Sequence, residues 1–208
     1  MGLFNRSQAH EREMMELLET VGRLNRENER LRQDMGDLQE LVRHQDTDLA
    51  LLLGAALGFQ PGMDAVDLSK MLLEQCFRPL DIASFYVAVV DSREDQLRFV
   101  LYHEGGRIRN HPPRRLSTQP GLTGMAIQAR QPLYVRTMEE AELMGAIFTE
   151  AEKLSGLIPQ SWYGVPFFGK DGACGLISFQ SFQRDAFPQG RRKIMDALVA
   201  LFALAYPW

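Results

Sequence analysis

The sequence predicts an α+β protein: an antiparallel sheet with helices on both faces, led into by a long N-terminal helix that forms a coiled coil. Three observations carry this. Trp162 to Phe168 and Ala173 to Phe182 are runs rich in aromatic and branched residues, separated by Gly169-Lys170-Asp171-Gly172. Lys-Asp-Gly between two such runs signals a hairpin, because glycine tolerates the positive φ of a tight turn. Neither run alternates apolar with polar, which is the pattern of strands covered on both faces. Finally, residues 10–53 carry a heptad repeat and no other internal repeat is present.

In the repeat, Met14, Val21, Asn28, Met35, Val42 and Leu49 fall at a, and Leu17, Leu24, Leu31, Leu38, Gln45 and Leu52 at d. A strict seven-residue period implies a left-handed coiled coil. Gly22 and Gly36 each cost about 1 kcal/mol of helix propensity, but both fall at b, on the outside. The seam is narrower than the apolar face of a helix lying on a globular domain, which favours self-association. Asn28 favours a parallel pair, where it meets its own copy; antiparallel pairing would set it against a d layer that is mostly Leu. The dimerisation residues expected from this reading are Leu17, Val21, Leu24, Asn28, Leu31, Met35 and Leu38.

The helix should stop near Gly58, with Pro61 following. Asp64 can cap a second helix that runs to about Phe77. Ala83 to Val90 and Gln96 to His103 read as a hairpin around Ser92 to Asp95. Arg107 to Ser117 is basic and broken by proline, a loop with a short edge strand near Arg114 to Leu116. Gly121 to Arg130 reads as a short helix and Pro132 to Val135 as a short strand. Thr137 and Glu140 form a capping box for a helix from Met138 to Leu154, with Met144, Ile147, Phe148, Ala151 and Leu154 on one face. Gly164 and Gly175, inside the central strands, mark places where something approaches closely. The last helix spans Pro188 to Tyr206 and is apolar almost all round from Ala197, so it should be buried on more than one side.

With 208 residues the chain holds one sizeable domain and an extension. A net charge of −4 gives no reason to expect nucleic acid as a partner. Cys76 and Cys174 are far apart and form no framework, which suits a reducing compartment. No apolar stretch follows MGLFNRS, so a signal peptide is not expected, and Arg6 stands where myristoylation wants Ser or Thr. The longest apolar run, Leu49 to Phe59, falls short of the roughly 20 residues that span a bilayer. The expected location is cytoplasmic, with no membrane partner. No GxSxG, HExxH or P-loop occurs and no His/Cys/carboxylate spacing suits a metal, so neither an enzyme nor a metal site is expected. His111-Pro112-Pro113-Arg114-Arg115 could hold an anion, although a solvated basic loop is the simpler reading.

Three pieces, in this order, resemble the GAF domain, a small-molecule sensing module of signalling proteins. They are GLTGMAIQARQPLYV at Gly121 to Val135, YGVPFFGKDGACGLISFQS at Tyr163 to Ser181, and Phe187 before a long apolar helix. The resemblance covers residues 60–206 and leaves out the heptads. With the heptads, it divides the chain into a flexible start (1–9), a coiled-coil dimerisation helix (10–58) and a GAF-like domain (60–208). It implies a ligand pocket on one sheet face, under the segments from Arg107 to Ala126 and Met138 to Leu157. The candidate lining residues are Phe85, Tyr102, Leu122, Thr123, Ile147, Phe148 and Trp162. Ordinary core packing is the simpler alternative for each, and Tyr and Trp are the better candidates because their polar tips need partners.

The resemblance also narrows the chemistry. Cyclic-nucleotide members show an Asn-Lys pair and a Phe-x-x-x-Asp-Glu run. This chain has no Asn-Lys, and its nearest run is Phe148-Thr149-Glu150-Ala151-Glu152-Lys153. Bilin-binding members need a pocket Cys, haem or iron would need a ligand such as His103 or His111, and the sulfoxide reductases need several close cysteines. The cofactor is left unknown. Two functions are expected on equal terms. One is a non-enzymatic GAF-type sensor of a small ligand, homodimerised by a parallel coiled coil. The other is a ligand-free scaffold that docks a protein partner through the coiled coil or the domain surface.

Overall fold

The computed structural model describes residues 2–148, 154, 156, 158–169, 172 and 174–208, with side chains from residue 14 onward except 44. It divides into two compact units, Met1–Thr47 and Asp48–Trp208. The first is part of one unbroken helix, α1 (Gly2–Gly58). Its heptad residues lie open in the single chain: Leu17, Leu24, Leu31 and Leu38 are all exposed. From Asp48 the same helix belongs to the second unit, where Leu51, Ala55 and Phe59 recur every four residues and are buried.

In the second unit, α2 (Ala65–Phe77) starts where Asp64 accepts the N–H groups of Val66 at 2.8 Å and Asp67 at 3.4 Å. Two long strands follow, β1 (Ser84–Asp91) and β2 (Gln96–Glu104), then the short β3 (Arg107–Ile108) and β4 (Arg114–Arg115). Next come α3 (Gly121–Ala129), β5 (Leu133–Val135), α4 (Met138–Leu143), β6 (Ser161–Phe168), β7 (Cys174–Ser181) and α5 (Gln189–Ala205). The strands make one antiparallel sheet in the order β3-β2-β1-β7-β6-β5, with β4 also on β2. The central hairpin β6–β7 keeps one register from Ser161↔Ser181 to Phe168↔Cys174. Of its expected turn, Lys170 and Asp171 lie outside the described residues.

Each face of the sheet has its own apolar cluster. On one, Phe85 and Val87 of β1 and Ile177 and Phe179 of β7 meet Leu68 and Leu72 of α2 and Phe202 of α5. The end of α1 joins this side, with the rings of Phe59 and Phe202 6.3 Å apart, edge to face. On the other, Tyr86, Ala88, Trp162 and Leu176 lie with Leu122 and Ala126 of α3 and Ala141 of α4. Helices thus cover both faces, which explains why the central strands do not alternate. Helix α5 packs on β6 and on α2, as its apolar composition predicts, while Leu204 stays 81% exposed in the single chain.

Helix α4 is shorter than the sequence suggests. It stops at Leu143 instead of running to Leu154. Gly145 takes φ +77° and closes a Schellman motif: its N–H donates to Glu142 O at 3.0 Å, and Ala146 N–H to Ala141 O at 2.9 Å. Residues 149–153 of the expected helix lie outside the described residues. The start is a variant of the expected capping box. Thr137 Oγ1 accepts from Glu140 N–H at 3.2 Å, but the Glu140 carboxylate reaches one residue further back, to Arg136 N–H at 2.8 Å.

Candidate ligand cavity

Between the sheet and the α3–α4 side lies a cavity of about 470 Å³, within the roughly 300–1,000 Å³ common for small-molecule sites. Its floor is set by strand parity. Successive side chains of β1 point to opposite faces, so Tyr86 faces the cavity and Phe85 does not. This corrects the expectation for Phe85, which is fully buried on the opposite face against Phe179 at 5.6 Å.

On β2 a bulge changes the parity. Val87 pairs with Leu101 and Ala88 with Phe99, leaving Val100 as the extra residue. Phe99 and Tyr102, three residues apart, therefore both reach the cavity. Tyr86 and Tyr102 stack at 5.5 Å with 4° between planes, and Phe99 meets each edge-on at 5.5 Å. His111 comes in from the basic loop, 4.7 Å from the Tyr102 ring and 4.3 Å from Phe99.

The β6–β7 end of the floor holds Trp162 and, paired across from it, Gln180. The Trp162 indole lies along its own strand over Gly164, where a Cβ would stand 1.9 Å from the ring. The close approach that Gly164 implied is thus to an aromatic ring of the same sheet. The same holds at Gly175, which lies against Phe167. Gln180 is buried and donates from Nε2 to Ser178 Oγ at 3.2 Å.

Helix α3 brings Leu122 and Thr123, and Thr123 Oγ1 shares a 2.7 Å hydrogen bond with the Tyr86 hydroxyl. Past the Schellman turn the chain carries Ala146, Ile147 and Phe148 to the cavity wall. At the mouth, β4 pairs Leu97 with Arg114 and Gln96 with Arg115, fixing two arginines of the basic loop to the sheet. Arg114 Nη2 donates to Pro120 O at 3.4 Å, while Nε is buried with no partner. Pro120 itself caps α3 without a side-chain hydrogen bond.

Tyr102, Leu122, Thr123, Ile147, Phe148 and Trp162 thus meet at one cavity. Sequence reasoning missed Tyr86 and Phe99, and it weighed the loop of His111 and Arg114 as an anion site but preferred a solvated loop. Parity relative to Phe85 could have found Tyr86. Phe99 could not have been joined to Tyr102 without knowing the bulge. Neither cysteine is among the described lining residues. Burial pushes up both thiols: Cys76 is fully buried in the opposite cluster, and at Cys174 the nearby Arg130 partly offsets the effect. Among the described residues no group of three or more His, Cys, Asp or Glu could hold a metal.

No protein-family model matches the sequence, and no curated protein matches it. Solved structures do match. The GAF domain of an Acinetobacter phosphoenolpyruvate-protein phosphotransferase superposes with a TM-score of 0.63 at 16% identity, covering 76% of this chain and 91% of that one. The fold is GAF-like. The nlh2 GAF domain of A. aeolicus, in an inactive state, gives 0.60 at 12% identity over 78% of this chain and 97% of its own. The free methionine-R-sulfoxide reductase of Neisseria meningitidis, in complex with its substrate, gives 0.57 at 14% identity over 78% and 87%. These neighbours include both GAF domains and a reductase, and at such identities the likeness is one of fold.

Proposed function

We propose that this chain is a non-enzymatic regulatory protein, a GAF-like small-ligand sensor that homodimerises through a parallel coiled coil and works in the cytoplasm. The observation that carries the reading is the cavity of about 470 Å³, with its aromatic floor and a few convergent polar groups. The exposed heptad seam supports the dimer, since a helix showing Leu17, Leu24, Leu31 and Leu38 to water gains by covering them. For occupancy to become a signal, the ligand must bind one dimer arrangement better than another. No described helix is long and apolar enough to cross a membrane. A second reading, a ligand-free scaffold for a protein partner, draws on exposed apolar residues outside the seam: Leu53 and Leu57 of α1 and Leu204 of α5.

Native mass spectrometry of the purified protein tests the proposal. The expected spectrum is a dimer carrying a small mass that is lost on denaturation. A dimer that stays empty and gains no mass from any supplied metabolite fraction favours the scaffold. A monomer at micromolar concentration refutes the dimer.

A further inference from the structure

We infer that the cavity takes a small aromatic carboxylate, its ring on the Tyr86–Tyr102–Trp162 floor and its carboxylate at Arg114. The inference rests on the reading that the cavity holds a ligand, and it names the class. The floor argues for a planar, apolar body: Tyr86, Phe99 and Tyr102 make one aromatic cluster, His111 adds a ring to it, and Trp162 lies flat at the other end. Aromatic rings prefer further rings in offset or edge-on contact.

Arg114 argues for the anion. A buried donor without a partner is costly and rare, and Nε of Arg114 is one. Its strand pairing through β4 holds it at the cavity mouth, unlike the residues of a solvated loop. No acidic side chain is among the described lining residues, while Arg115 and His111 stand beside it. The uncapped start of α3 adds a favourable field for negative charge. A guanidinium grips a carboxylate, as it does a phosphate, through two parallel N–H···O bonds, so the test below separates the two anions.

The test uses the full-length protein with Trp208→Phe, so that Trp162 alone reports by fluorescence. The probes are benzoate, phenylacetate and 3-phenylpropionate, the amide of each, and 3′,5′-cyclic GMP. The acids should quench or shift Trp162 and bind about ten- to a hundredfold more tightly than their amides, as expected for a charge-assisted contact. Arg114→Gln should bring each acid down to its amide, and Arg114→Lys should restore part of the difference. The acid–amide comparison stands on the unmutated site, so it survives a variant that fails to fold. Amides that bind as tightly as the acids would overturn the inference while leaving the ligand reading intact. Cyclic GMP binding more tightly than every acid would overturn it in favour of a phosphate. If no probe binds at millimolar concentration and the native dimer is empty, the inference and the ligand reading fall together.

Discussion

His103 shows how one buried side chain ties stability to pH. It is 7% exposed, its ring meets Phe77 edge-on at 5.0 Å, and Nδ1 has no partner. Burial lowers its pKa below the ordinary 6.5. A histidine held below its unfolded value favours folding fully above about 6.5, and that contribution is lost as pH falls through the folded pKa. Urea melts between pH 7 and pH 5 should therefore show stability falling on acidification, and His103→Phe should flatten the slope; an unchanged slope would clear His103 of the effect. At this scale the sequence was legible in residue type and not in direction. Phe85 and Tyr86 are neighbours of similar size, and composition alone does not say which of the two faces the cavity. Strand parity decides it, and parity needs one side chain already placed. Arg114 was weighed as an anion holder and set aside for a related reason: a basic, proline-broken loop reads as solvated until a two-residue strand pins it to β2.

Elements were legible wherever a local signal marked both ends. Helix α2 lies between the Asp64 cap and Pro79, and the ends of β1, β2, β6 and β7 fall within a residue or so of their expected places. Helix α4 failed because its apolar face continues past its end. Met144, Ile147 and Phe148 keep a helical spacing, yet Gly145 turns the chain out and delivers Ile147 and Phe148 to the cavity as loop residues. The spacing was real but served a cavity wall and not a helix face. Since nothing lies within 4 Å of a Cβ built at Gly145, only its φ of +77° opposes a side chain there. Gly145→Ala should cost about 1–2 kcal/mol in urea denaturation; a loss below the error of the fit would mean that the turn is not held in that conformation. The bulge at Val100 is the second element the sequence concealed, because an extra residue in a strand leaves no compositional mark.

For the whole molecule, the question is how two chains associate. Asn28 at a decides orientation in the proposed dimer. Facing its own copy it can share a hydrogen bond, whereas against a Leu it would be buried unpaired at a cost of roughly 1–3 kcal/mol. Glu27 and Arg32 lie at g and the following e, an exposed combination worth only a few tenths of a kcal/mol between chains. Asn28→Val should therefore tighten association while mixing orientations and oligomer states, seen as polydispersity in analytical ultracentrifugation. A chain carrying Leu17→Cys should crosslink to its own copy under oxidation; preferential linkage of Leu17→Cys to Val42→Cys in a mixed sample would show antiparallel chains. The sheet has a different consequence. Each face has its own buried cluster and the cavity lies on one of them, so Phe85 and Val87 answer to one set of neighbours and Tyr86 and Ala88 to another. Changes at Tyr86, Phe99 or Trp162 alter what the cavity accepts without opening a hole in the cluster around Phe202. Along a lineage, the cavity lining can therefore drift while the opposite cluster, under its own neighbours, stays as it is.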